Sequence, residues 1–447
     1  MKKVPFTKMA LIAFTIFSCS EDGVNNDNNP VIADEETHSA VSLSFPKTTV
    51  FKSMKAHDIA AANGIETKVT SVGFYVVDEI NNMMHGKVFS DSEFVQDNDD
   101  TNKYMLKSTL KTTTGQKRVF VVLNPGSSLQ ASIDNIRGGI FGEIPLDGVA
   151  SDYVTASDLV MSSITATPAT LGVMTEQEAL DNPIPVIVQR NTAKVAVKEK
   201  AASTPVVGGT ISDLGFAIVT EAKKSYLIQQ GGNTLATVVT PGRNLSPVEA
   251  ENAYFTKLST PSSWKNVNAS STGNNSLEGY YAMENVNVKN VMGNTTAAII
   301  KGQFTPENSS VVVAYSANDN RTLGSITSGE SFYIKKSDYT FWSEDAYTDA
   351  IDADLTENHF SRIYKDGVCY YRVWIQDSEG KRGVLRNTYY VLNITKISGA
   401  GLPYVPGVDP ENPDEPENPD QPIEEDTLIS VEITVLPWDV QESEHEI

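Results

Sequence analysis

The feature that most constrains this 447-residue chain lies near its carboxyl end, where Ile429, Val431, Ile433 and Val435 alternate with Ser430, Glu432 and Thr434 before Pro437-Trp438 closes the run. A period of two marks an amphipathic β-strand. Ahead of it, Pro403, Pro406, Pro410, Pro413, Pro416, Pro419 and Pro422 recur among Asp, Glu and Asn, the composition of a polyproline II spacer. At about 3.1 Å per residue, such a spacer reaches tens of ångströms from the body. A lone strand cannot satisfy its backbone donors in water and needs a sheet. Burying its four apolar side chains contributes roughly 1.5 to 3 kcal/mol each, against about 1 to 2 kcal/mol per residue for ordering the backbone, so a well-formed receiving groove is required. The spacer favours a groove in another molecule, although folding back onto its own domain stays open.

The amino end carries a second signal. Lys2, Lys3 and Lys8 precede an apolar run from Met9 to Phe17, too short to span a bilayer and suited to a secretory signal peptide. Ile16-Phe17-Ser18-Cys19 resembles the lipobox of bacterial lipoproteins, which implies acylation of Cys19. Ser20-Glu21-Asp22 resembles the acidic surface-export signal of Bacteroidales lipoproteins. With Cys19 acylated, Cys369 has no partner for an intramolecular disulfide. Glu21 to Thr37, rich in Asn, Asp and Glu, reads as a flexible tether. Val41, Leu43 and Phe45 then alternate with Ser42 and Ser44 in a second half-buried strand, stopped by Pro46.

Between the ends, short β-type runs are separated by Gly, Asn, Pro and Thr clusters. They include Ser71 to Val77, Arg118 to Leu123, Pro185 to Val188, Lys194 to Lys198, Ile299 to Thr305, Val311 to Tyr315, Tyr370 to Gln376 and Tyr389 to Ile397. Helical spacing is confined to Gln177 to Leu180 and Ser127 to Ile136. This pattern predicts an all-β chain of two β-sandwich domains with a boundary near Arg190.

Composition narrows the function. Thirty-five basic residues against 57 acidic ones give a formal charge of −22, which argues against nucleic acid as partner. The five histidines and two cysteines show no metal-ligand spacing, so no metal or cofactor is expected. Ser108-Thr109-Leu110-Lys111 and Ser262-Ser263-Trp264-Lys265 match S-x-x-K without helical context, and no phosphate-binding, dinucleotide-binding or hydrolase signature occurs. No catalytic residue is assigned. Asp97 to Asp100 and Asp352/Asp354 read as solvated acidic turns, and Tyr370, Tyr371, Trp374, Tyr389 and Tyr390 as packing aromatics.

Several segments in shared order resemble the shaft fimbrillins of Bacteroidales type V pili, most closely the major subunit of the short fimbriae. They are Thr37 to Pro46, Ile184 to Arg190, Lys223 to Gln230, Asn294 to Thr296 leading into Lys301-Gly302, Arg386 to Ile394, the Asn-Pro-Asp repeats and Val431 to Trp438. The resemblance implies two transthyretin-like sandwiches in a lipoprotein precursor of the outer membrane. Its amino-terminal placeholder strand (Val41, Leu43, Phe45) is cut away by a surface protease. The donor strand of a neighbouring copy or related subunit (Ile429, Val431, Ile433, Val435, Trp438) then takes its place in an extracellular fimbrium that supports adhesion. The implied organisation is signal peptide 1–18, tether and removable strand 19–55, sandwiches 56–190 and 191–402, linker 403–427 and donor strand 428–447. Relatives are cut after arginine, but no Arg precedes Arg118 here, so cleavage is expected after Lys52 or Lys55, with Lys47 third. The rival expectation is a monomeric surface lipoprotein that binds glycans or host proteins.

Overall fold

The computed structural model describes residues 35–45, 60–62, 64–98, 100, 102–135, 144–155, 157–250, 253–316, 320–377 and 379–440. Cys19, Lys47, Lys52 and Lys55 lie outside them.

The fold is all-β, as the patterning predicts. In the first half, nine strands form one sheet. In spatial order eight of them are Met84–Ser90, Ser71–Asp78, Gly115–Leu123, Met161–Ser163, Ile184–Arg190, Val41–Ser44, Lys103–Leu106 and Phe94–Gln96, and the ninth, Thr167–Leu171, also pairs with Gly115–Leu123. The sheet curls so that Val41, Leu43 and Phe45 share one core with Phe74, Val76, Val119, Val121, Val186 and Val188. On the opposite face of the two long strands, Tyr75, Val77, Phe120 and Val122 pack under the helix Gly126–Asp134 through Leu129 and Ile133. Burial on both faces explains why these strands read as continuous apolar runs instead of alternating ones.

Ile184–Arg190 ends in the first sheet and Thr192–Glu199 starts in the second, with the fully buried Asn191 turning the chain between them. The second sheet runs Tyr280–Met283, Thr192–Glu199, Thr388–Ile397, Ile429–Val440 and Ala60–Ala62. One face packs on a four-stranded sheet of Lys265–Asn266, Gly209–Val219, Ala297–Pro306 and Val368–Trp374, burying Val195, Val197, Phe216, Ile300, Tyr371, Tyr390 and Leu392. The other face sends Ala196, Tyr389, Val391, Leu436 and Trp438 into the core of the first half. The five-stranded sheet is therefore a middle layer shared by two cores. The aromatics Tyr371, Trp374, Tyr389 and Tyr390 are buried, in keeping with packing.

Two expectations are corrected. Residues 403–427 do not extend as a free spacer: they lie along the body. Met292 and Gly293 donate their amides to the carbonyls of Gln421 (3.0 Å) and Pro419 (2.8 Å), Thr260 donates to Pro413 (3.1 Å), and Trp374 Nε1 donates to Glu424 (2.9 Å). Val405 and Val408 are buried beside Met292 and Trp374. Lys257, Arg362 and Arg382 pair with Glu415, Glu411 and Glu425. Proline cannot donate a backbone hydrogen bond but its carbonyl accepts one, so a proline-rich segment can dock wherever the body offers free N–H groups. The expected tether also does not reach Thr37, because Glu36–Ser39 is a strand paired with Leu110–Thr113.

Candidate functional site: two terminal strands and the junction they share

Val41–Ser44 is an interior strand. It runs parallel to Ile184–Arg190, with Val41, Leu43 and Ser44 opposite Ile184, Val186 and Ile187, and antiparallel to Lys103–Leu106, with Leu43 opposite Tyr104. The pleat turns Val41, Leu43 and Phe45 inward, and they are 0%, 1% and 4% exposed. Flanking hydrogen bonds extend the pairing: the Ile184 amide donates to the Ala40 carbonyl (2.9 Å) and the Phe45 amide to that of Asn102 (3.2 Å). Preceding it, the buried Thr37 hydroxyl donates to the Gly172 carbonyl and accepts from the Met174 amide, both at 2.8 Å. Sequence reasoning missed this anchor because Glu36–Ser39 has no apolar row and is held by polar atoms of distant residues.

Ile429–Val440 lies antiparallel to Thr388–Ile397 of the same chain, with Val431, Ile433 and Val435 opposite Ile394, Leu392 and Tyr390. In the single chain it completes its own sheet. The side chains of Ile429, Val431, Ile433 and Val435 face the second core as their period predicts. Trp438 does not share that face: with Leu436, which the sequence reading passed over, it points into the first core. The two terminal strands thus occupy different sheets.

Their ends nevertheless meet. Arg190, at the last position of Ile184–Arg190, sets its guanidinium 4.6 Å from the Trp438 ring centroid and 5.9 Å from that of Phe45. Its Nη1 donates to the Trp438 carbonyl (2.7 Å) and its Nε to the Glu66 carbonyl (2.8 Å). The Glu66 carboxylate accepts from Lys194 Nζ (2.7 Å), the Tyr281 hydroxyl (3.0 Å) and Trp438 Nε1 (3.3 Å). Tyr281 stacks on the indole at 5.9 Å. Burial, then the neighbouring Glu66 charge, pushes both the Tyr281 and Tyr389 hydroxyls above the usual phenol range. Ala60–Ala62 runs parallel to the strand end, with Ala60 opposite Trp438. The bond between Trp438 and Glu66 alone joins residues 372 positions apart, and no local pattern could have announced the cluster.

The arrangement is one of pairing surfaces. Among the described residues, no three His, Cys, Asp or Glu side chains converge as a metal site. Lys103 and the Asn102 amide contact Asp97 and Asp100, making the expected acidic turn a hydrogen-bonded one.

Comparison with known proteins places this architecture. Residues 362–444 match the family described as the major fimbrial subunit protein type IV, fimbrillin, C-terminal. Two structures of candidate cell adhesion proteins from Parabacteroides distasonis are similar along most of the chain. One is 14% identical with a TM-score of 0.50, over 91% of this chain and 98% of that one; the other is 13% identical with a TM-score of 0.51, over 91% and 99%. A fimbrilin from Porphyromonas gingivalis is 16% identical with a TM-score of 0.44, over 91% and 99%. Over residues 362–444 the chain is a match to the fimbrillins, and its all-β fold is shared with the two Parabacteroides proteins.

Proposed function

We propose that the protein is a structural, non-enzymatic subunit of an extracellular fimbrium that supports adhesion. It is exported as an outer-membrane lipoprotein through Cys19 and cut after Lys52 or Lys55. It then polymerises head to tail by donor-strand exchange. The fimbrillin match over 362–444 and the fimbrial and adhesion relatives support the subunit role. The observation that carries the exchange reading is the placement of Val41–Ser44: an interior strand with a partner on each side, leading directly into the segment that holds Lys47, Lys52 and Lys55. Excising it leaves a slot with two unpaired edges and an apolar floor, which a strand of matching period fills by β-strand addition. Ile429, Val431, Ile433 and Val435 have that period. Because the donated and accepting surfaces differ, the assembly is open-ended. In the resting chain the donor lies in its own sheet, so exchange includes its departure from Thr388–Ile397.

The test compares full-length precursor with protein cut at Lys52 or Lys55, on native and unheated denaturing gels. Multimer ladders are expected from the cut form alone. Cut protein that stays single at high concentration would favour the monomeric surface lipoprotein binding glycans or host proteins.

A further inference from the structure

The residues just after the expected cut do more than begin the first domain. Ala60–Ala62 pairs with the last residues of the carboxyl-terminal strand, and Glu66 follows within one turn to receive the Trp438 indole N–H. Arg190 completes the hold by binding the Trp438 carbonyl while facing the Phe45 ring. Glu66, Arg190, Lys194 and Trp438 are 3%, 1%, 8% and 1% exposed, so the hold is a built interior site and not a surface contact. Its parts fall on both sides of the cleavage segment: Phe45 before it, Ala60–Ala62 and Glu66 after it.

We propose that this cluster is a latch that keeps Ile429–Val440 in its own sheet until the amino-terminal strand is removed. This rests on the donor-strand reading above. In the uncut chain, Ala60–Ala62 is tethered on both sides, through residues 46–59 to the buried strand Val41–Ser44 and through Glu66 to the body. Cutting after Lys52 or Lys55 leaves it a few residues from a free end, and short terminal segments fray. Loss of Val41–Phe45 takes the Phe45 ring away from Arg190 and opens the core beside Trp438 to water, where its hydrogen bonds compete with solvent. The same cut that vacates the slot thus loosens the strand destined to fill a neighbour's slot. Premature exchange is checked twice, once by the occupied groove and once by the held donor.

Hydrogen exchange read by mass spectrometry tests this on the full chain. The amides of Ile429–Val435 and Thr388–Ile397 are followed, with Ser71–Asp78 and Gly115–Leu123 as controls that report an intact fold. Uncut Trp438→Phe, which removes the indole donor, and uncut Glu66→Gln are expected to exchange about tenfold faster in the first group and unchanged in the controls. Wild-type protein cut at Lys52 or Lys55, at a dilution where it stays single, should show the same acceleration, and cutting the variants should add little. Unchanged exchange of Ile429–Val435 after cutting overturns the latch. If ladders form at high concentration while that exchange stays slow in single subunits, the latch is wrong and donor-strand exchange stands. If exchange accelerates but no ladder ever forms, the latch holds and the donor-strand reading fails.

Discussion

Leu43 stands opposite Val186 in a parallel register while Tyr104 faces it from the other side, so one leucine is enclosed by pairing on both flanks and by the core beneath. Its position makes it a probe of maturation. Leu43→Ala should destabilise the uncut precursor by about 2 to 5 kcal/mol, the usual cost of truncating a buried leucine. After the proposed cleavage the residue would be gone, and variant and wild type should then unfold alike in urea. A difference that persists in the processed protein would mean that the strand is retained.

Ile433, opposite Leu392, turns towards the second core, whereas its neighbour Glu432 turns outward and pairs with Lys200. Ile433→Asp should cost several kcal/mol by leaving a carboxylate without a partner among apolar groups. Multimer ladders should disappear. Glu432→Gln removes one exposed ion pair and should change stability by less than about 1 kcal/mol, with ladders intact.

Glu284 and Arg386 form a pair with side chains 1% and 0% exposed, and the arginine also donates to Ser225 Oγ and to the carbonyls of Tyr226 and Leu227. Arg386→Met leaves the buried glutamate without its cation, with Gln229 Nε2 still donating to it, and takes a donor from Ser225 Oγ and from the Tyr226 carbonyl. Thermal unfolding should report a loss of about 3 to 5 kcal/mol.

Burial, with the charge of Asp152 second, pushes the Glu221 carboxyl up to about 7. Between the ordinary carboxylate value and that figure, the folded form holds a proton that the unfolded chain has released, so stability falls as pH rises through this window and the penalty is complete above it. Glu221→Gln should therefore stabilise the protein at pH 8, by about 1 to 2 kcal/mol once partial solvent contact is allowed for, and variant and wild type should converge near pH 4.5. Melting curves across that range decide it; a constant offset would assign the effect to something other than titration.

Lys52→Gln/Lys55→Gln should shift the mature amino terminus, by mass spectrometry, to Thr48 through cleavage after Lys47, or abolish processing. An unchanged terminus excludes both lysines.

The sequence made the long strands legible because their apolar residues either alternate or run together between turn residues, as in Ser71–Asp78 and Thr388–Ile397. It made both terminal strands legible for the same reason. It was silent where polar atoms decide the structure. Thr37 and Ser39 are each 1% exposed, yet hydroxyls bonded to carbonyls far away in the chain leave no period to read. The proline-rich segment misled because composition reports what a backbone cannot donate, not what its carbonyls can accept. Helix Glu344–Asp352 was missed although Ser343 caps it and Glu344 and Asp345 open its first turn, since the stretch has little apolar periodicity. Arg190 and Trp438 are 248 positions apart, and only the folded chain joins them.

The middle layer has a mechanical corollary. Its two faces are glued to separate interiors, with Tyr390 on one side and Tyr389 on the other, so the halves of the molecule cannot swivel about Asn191 as beads on a hinge would. A fibre built from such units would behave as a string of stiff rods. Its bending and stretching would concentrate at the seams between one rod and the next, and tension would reach each rod through the backbone that leaves the shared layer.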